Sequence, residues 1–112
     1  MYKQKAIIVV GYNNTRIVDV RKIRKIAQEK LDAITILCKS SLLPTGIEVV
    51  DRAIEVQLTA KLDILQYIVQ ECQDFDILAI VPFSDAGVPL GAMLAEHFFV
   101  RSPKNADWRS IR

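Results

Sequence analysis

Two stretches limit the fold of this chain more than any others. Ala6-Ile7-Ile8-Val9-Val10 and Ile77-Leu78-Ala79-Ile80-Val81 each run without a polar residue. Successive side chains of a strand point to opposite faces, so a strand with one wet face alternates apolar and polar residues. An unbroken, largely β-branched run needs cover on both faces, which is the situation of a strand inside a parallel sheet. Neither run approaches the roughly 20 apolar residues that a membrane-spanning helix needs, so no membrane partner is expected.

Parallel strands require long crossovers, normally helices, and the intervening sequence supplies them. Lys5 to Val10 reads as the first strand, ended by Gly11, with Tyr12-Asn13-Asn14-Thr15 as a loop of turn formers. A helix is expected from about Val18 to Leu31. Val20, Ile23, Ile26, Ala27 and Leu31 recur there at helical spacing, with Asp19 and Lys30 placed to suit the helix dipole. Ala33 to Cys38 is the second buried strand, and Lys39 to Gly46 a loop marked by Pro44 and Gly46. The third strand has two candidates, Ile47 to Val50 and Ala53 to Gln57, of which the second is preferred. Thr59 is expected to cap a second helix ending near Gln73, with Leu58, Leu62, Leu65, Val69 and Cys72 as its apolar stripe. Ile77 to Val81 forms the fourth strand, stopped by Pro82. Ser84 or Asp85 then caps a third helix, about Val88 to Phe99.

The alternation implies an α/β fold, a three-layer Rossmann-like domain with a four-stranded parallel sheet and helices on both faces. With right-handed crossovers and the most apolar strand at the centre, the expected strand order is 3-2-1-4. The chain has 112 residues and is 51% hydrophobic, enough for one such core.

A sheet of that order has a switch point between strands 1 and 4, and ligands of open α/β sheets bind beyond the strand carboxyl ends there. Two loops meet at that place. Gly11-Tyr12-Asn13-Asn14-Thr15-Arg16 has a single glycine, so it is not a dinucleotide fingerprint, and no Gly-Lys-Ser/Thr makes it a P-loop. It reads either as a plain connection or as a small-molecule contact surface. Pro82-Phe83-Ser84-Asp85-Ala86-Gly87 leads into the third helix, whose first amides suit a carboxylate or phosphate. Ser84 and Asp85 either cap that helix or face the ligand, and the Asp85 carboxylate would repel an anion. No Gly-x-Ser-x-Gly elbow is present. The candidate substrate-binding residues are therefore Gly11, Tyr12, Asn13, Asn14, Ser84, Asp85 and Gly87, and no catalytic or metal-binding residue is assigned.

The remaining reactive residues add little. Cys38 and Cys72 have no metal-ligand spacing and, with the lone His97, suggest no zinc site. Both read as small buried side chains in a reducing compartment. No charged-then-apolar leader opens the chain, and a cytoplasmic location is expected. Glu96 and His97 read as a partly exposed helical pair. The net charge of +2 is too small for a general nucleic-acid binder. One local asymmetry stands out. Arg16, Arg21, Lys22, Arg24, Lys25 and Lys30 face only Asp19 and Glu29 across the first helix and its approach. That run is either a solvated helix face or a patch that steers an anionic ligand or partner.

One stretch resembles a known family. Asp76-Ile77-Leu78-Ala79-Ile80-Val81-Pro82-Phe83-Ser84-Asp85-Ala86-Gly87-Val88, followed by Ala92-Met93-Leu94-Ala95-Glu96, is similar to the fourth strand and third helix of the pre-ATP-grasp domain. That domain opens ATP-grasp ligases such as biotin carboxylase and the carbamoyl-phosphate synthase large chain. Asp51-Arg52-Ala53-Ile54-Glu55-Val56 resembles the family's third strand. The family's Leu-Gly-Leu-Pro-Gly turn is replaced by Phe98-Phe99-Val100-Arg101. The resemblance implies a domain over 1–100 and an exit segment over 101–112 that leads toward an ATP-grasp domain. It implies that the chain binds no cofactor alone, ATP and Mg belonging to the later domains of a full-length ligase. It also implies that the loops after strands 1 and 4 line the pocket of a small carboxylate or amine substrate. The partners would be a downstream ATP-grasp domain, in cis or in trans, and often a second copy in a homodimer. The alternative, read from the complete strand-helix set, is a stand-alone Rossmann or flavodoxin-like small-ligand-binding or oligomerisation module.

Overall fold

The computed structural model describes residues 3–11, 17–39, 50–59, 61–83, 85 and 87–100, with only the backbone of Ile17 and Val100. Four strands form one sheet: β1 (Gln4–Val10), β2 (Ala33–Lys39), β3 (Arg52–Glu55) and β4 (Phe75–Pro82). All pairs are parallel and the order is β3-β2-β1-β4, as the apolar runs predict. Among the described residues, three α-helices connect and cover it: α1 (Ile17–Ile26), α2 (Leu62–Glu71) and α3 (Gly87–Ala95). α1 continues into a π turn over Ala27–Leu31, and α3 into another over Glu96–Val100.

The strand periodicity sorts the core by face. Ala6, Ile8, Val10, Ile36, Cys38 and Ile54 point to one side, where Leu65 and Ile68 of α2 and Leu90 and Leu94 of α3 cover them. Val9 and Leu37 point to the other, under Val20 of α1. α1 leads the chain from β1 to β2 over one face, and α2 leads it from β3 to β4 in the opposite direction over the other. Opposite directions over opposite faces give crossovers of one hand, as twisted strands require.

β4 changes phase through an irregularity. Its register with β1 shifts between Ala6 and Ile7, so that Ala6 pairs with Ile77 and Ile7 with Ala79. Leu78 is the extra residue of a β-bulge, which re-aims the side chains beyond it. Ile77 and Ile80 consequently join the α2/α3 side, while Leu78, Ala79 and Val81 pack with Ile7, Ala27 and Ala33 on the α1 side.

Several expectations need correction. The third strand covers Arg52–Glu55 rather than Ala53 to Gln57, although the Val56 N–H still reaches the Lys39 carbonyl at 3.1 Å. Of the competing candidate, residues 47–49 lie outside the described residues, and Val50 is buried in a bend under α1. Thr59 does not cap α2. Its N–H bonds the Gln57 carbonyl and its carbonyl takes the Lys61 N–H, both at 2.9 Å, which holds an extended turn. Lys61 occupies the N-cap position with no side-chain cap bond. Three residues assigned to apolar stripes, Ile26, Leu31 and Leu62, are exposed. The inward arc of α1 runs through Val20, Ile23 and Ala27, and Ile26 lies about 120° round from Val20. Leu62 stands at the first position of α2, outside the arc of Leu65, Ile68 and Cys72.

Both cysteines are free and fully buried, as expected of small core residues. Burial pushes the Cys72 thiol up to about 11, against a lowering contribution from Arg52. Burial pushes Cys38 higher still, with the nearby Cys72 adding to the rise. No helix among the described residues is long and apolar enough to cross a membrane.

Candidate functional site

β1 lies inside the sheet with β4 beside it at the edge, and their carboxyl ends leave the sheet toward opposite faces. β1 leads to α1 on one face, and β4 leads to α3 on the other. This divergence is the switch point at which open α/β sheets form their ligand crevices. Three contacts fix its geometry. The Gly11 N–H donates to the Cys38 carbonyl at 2.8 Å, and the Phe83 N–H donates to the Val10 carbonyl at 3.1 Å. Gly87, the first residue of α3, packs directly on Val10.

Both glycines have a physical reason. Gly11 has φ 72°, a left-handed conformation that costs an L side chain about 1 kcal/mol or more. It turns the chain out of the sheet immediately after the last ladder bond. A Cβ on Gly87 would fall on the Val10 carbonyl oxygen and 3.2 Å from the carbonyl carbon and Cγ1. Only glycine lets the first turn of α3 sit this close to the end of β1. The start of α3 is thereby held against the strand end where Gly11 begins the other loop.

Of the seven candidate residues, the structure brings Gly11 and Gly87 together across Val10. Asp85 is exposed beside them, and its carbonyl accepts the Val88 N–H at 3.3 Å. Tyr12, Asn13, Asn14 and Ser84 lie outside the described residues. Asp85 supplies a negative charge near the helix start, which suits the helix dipole and would itself repel an anion there. Among the described residues, no group of three or more His, Cys, Asp or Glu is placed to hold a metal ion.

Two features were not found by reading the residues. The first is a polar node beneath α1. The Asp51 carboxylate accepts the Thr35 N–H at 2.9 Å through Oδ2, and Arg24 Nη2 and Nε at 2.9 and 3.2 Å through Oδ1. The Asp51 N–H in turn donates to the Thr35 carbonyl at 3.0 Å. Asp51 thus continues the β2–β3 pairing by one residue and ties it to α1. The acid just before the third strand was the only signal, and a lone acid there does not name its partner. The second is a groove of about 350 Å³ between α2 and the end of α3, lined by Leu62, Leu65, Gln66, Val69, Gln70, Gln73 and His97. A smaller hollow of about 150 Å³ adjoins it, reaching Met93 and Glu96. His97 is half-buried and meets Phe98 edge to face, with ring centroids 5.1 Å apart. The exposed Leu62 at its rim is the residue that helical spacing assigned to the core.

No family model matches the chain, and no curated protein matches it significantly.

Proposed function

We propose that this chain is the N-terminal, substrate-side domain of an ATP-grasp ligase of the biotin carboxylase and carbamoyl-phosphate synthase kind. In this reading it is not catalytic alone. The junction of Val10, Phe83 and Gly87 carries the proposal. The stretch that resembles the family falls on β4 and the start of α3, and its glycine is the residue that seats α3 on the end of β1. Gly11, Tyr12, Asn13, Asn14, Ser84, Asp85 and Gly87 then form one wall of the acceptor-substrate pocket. A downstream ATP-grasp domain, in cis or in trans, supplies the opposite wall with ATP and Mg. The whole enzyme joins a carboxylate to an amine or similar nucleophile through an acyl-phosphate, and this chain positions the acceptor.

The test has two parts. The reading frame that encodes the chain, or its neighbour, is expected to supply an ATP-grasp domain that co-purifies with it. Calorimetric titration of the 112-residue chain with Mg·ATP and with flavin is expected to give no heat of binding. Saturable micromolar binding by the chain alone, with no ATP-grasp partner encoded nearby, would instead establish a self-contained Rossmann or flavodoxin-like binding module.

A further inference from the structure

The two edges of the sheet are not alike. β3, at one edge, has four residues and carries Arg52 and Glu55. Short length and charge are what keep a sheet edge from pairing further. β4, at the other edge, has eight residues and carries no charge from Ile77 to Val81. A run that is apolar on both faces suits a strand with a neighbour on each side. Among the described residues, however, only β1 pairs with β4. Leu78, Ala79 and Val81 are only partly buried there, whereas β1 is buried throughout from Ala6 to Val10. The Phe83 N–H bonds to β1. By the alternation of a strand, Pro82 and Ile80 then turn their backbone groups to the open edge. Pro82 has no N–H to leave unpaired, so the Ile80 N–H is the donor offered beside it.

α3 leads toward that edge. Gly87 at its start sits on Val10 of β1, and Gly91, one turn later, sits on β4. A Cβ on Gly91 would lie 3.3 Å from Cβ of Pro82 and 3.9 Å from Cγ2 of Ile80. The helix thus passes from the end of β1 onto β4. It covers the same face as α2, and α2 carries the chain across the sheet from β3 to β4. A crossover of the same hand over the same face moves the same way, past β4. The next parallel strand therefore belongs on the open side of β4.

The sequence continues for twelve residues after Val100. Ser102-Pro103-Lys104-Asn105 is a run of turn formers. Ala106-Asp107-Trp108-Arg109-Ser110-Ile111 follows it. Trp108 and Ile111 favour strands and, an odd number of residues apart, take opposite faces of one. Asp107 and Arg109 are the kind of charge that suits an outermost strand. We propose that residues 106–111 add to the open edge of β4 as a fifth, parallel strand, with Trp108 and Ile111 covering its two faces. β4 then becomes the interior strand that its sequence describes. The proposal concerns backbone pairing at the sheet edge, so it stands or falls apart from the substrate-side reading.

Fluorescence and amide exchange of the 112-residue chain test it together. Trp108 is the one tryptophan, so its emission reports on this segment alone. Its emission is expected to be blue-shifted from that of the urea-unfolded chain and protected from acrylamide, both effects being lost on unfolding. The Ile80 amide is expected to exchange about a hundredfold more slowly than in an unstructured peptide, at every protein concentration. Trp108→Ser is expected to speed Ile80 exchange about tenfold while the β1 amides keep their protection. A Trp108 as solvated in the folded chain as in urea overturns the proposal. So does a shielded Trp108 beside an unprotected Ile80 amide, which would put the segment elsewhere on the domain. Ile80 protection that grows with protein concentration also overturns it, since a second copy would then hold the edge.

Discussion

Under α2 and α3 the sheet buries a continuous apolar layer from Ala6 and Ile8 through Leu90 and Leu94 to Phe99, with Cys38 and Cys72 inside it. Under α1 it buries two smaller groups, one around Val9, Val20 and Leu37 and one around Ile7, Ala27 and Ala33. There a charged node, Arg24 with Asp51 and the Thr35 backbone, bridges helix, strand and crossover. The first face is held by area removed from water, which is non-directional and tolerates sliding. The second is held partly by directional bonds, which fix the position of a helix whose solvent side is strongly charged. Among the described side chains, this helix and its π turn place only Val20, Ala27 and part of Ile23 inside, which is little apolar area to anchor it. The Asp51 node adds what the small core lacks.

Substitutions that break each face in turn separate these two modes. Leu94→Ala empties a fully buried site in the large core and is expected to cost about 4 kcal/mol, transfer and cavity terms together. Urea unfolding should show a lower midpoint at unchanged slope. Gly87→Ala tests the junction between that core and the strand ends. Its Cβ meets backbone rather than a movable side chain, so α3 must shift. A loss of roughly 3 kcal/mol is expected, at the upper end of overpacking penalties. A change below about 0.5 kcal/mol would mean that α3 is not seated on Val10.

On the α1 face, Asp51→Ala removes the acceptor of one backbone N–H and of the Arg24 guanidinium. Hydrogen bonds to a charged partner contribute about 1.5–3 kcal/mol, whereas an exposed ion pair contributes little. A loss of about 2 kcal/mol is expected. Arg24→Ala should cost less than half of that if the Thr35 bond dominates. Comparable losses from the two would assign the energy to the ion pair instead.

The cysteines give the large core a pH dependence on the alkaline side. In the unfolded chain a thiol ionises near pH 8.5, but in the folded chain burial holds Cys72 neutral to about 11 and Cys38 beyond. A raised folded value means that this stability is fully present below the unfolded value and is lost as pH rises. Stability is therefore expected to be level from pH 6 to about 8 and to fall between about 9 and 11. The Cys38→Ala/Cys72→Ala variant removes that share of the fall. Parallel denaturation curves for variant and wild type at pH 7 and pH 10 measure it. An identical decline in both would show that other groups carry it.

These faces were unequally visible in the amino-acid order. The strand order followed from Ala6 to Val10, because the most apolar run belongs at the centre of a parallel sheet, and β1 lies there between β2 and β4. The bulge at Leu78 was hidden by the same property, since a strand apolar at every position shows no change of phase when a residue is inserted. Helical spacing found α1 and α2 but placed Ile26, Leu31 and Leu62 inside. A pattern of apolar residues gives the period of a helix, whereas the width of its buried arc depends on what packs against it. For the candidate site, Gly11 and Gly87 were legible as residues at a switch point. That Gly87 is required by the Val10 carbonyl was not, since the contact joins residues 77 apart in sequence. Asp51 was seen only as a lead into β3, because its partners Arg24 and Thr35 come from two other elements.

The smallest expected effect has the opposite sign and distinguishes the two faces most directly. Thr35 is the one buried polar residue in the described core, fully enclosed on the α1 side, and its Oγ1 has no hydrogen-bond partner. Its N–H and carbonyl are both used by Asp51, so the backbone of Thr35 belongs to the node while its hydroxyl does not. Valine has nearly the same shape and the same preference for strands. Thr35→Val therefore keeps both backbone bonds and removes an unsatisfied buried hydroxyl, which is expected to stabilise the chain by about 1 kcal/mol. If the hydroxyl instead served the node, the same change would destabilise by a similar amount, and combining it with Asp51→Ala would give less than the sum of the two. The thermal midpoints of the single and double variants decide between these outcomes. A rise in the single variant, with additivity in the double, confines the directional part of the α1 face to Asp51, Arg24 and the backbone of β2.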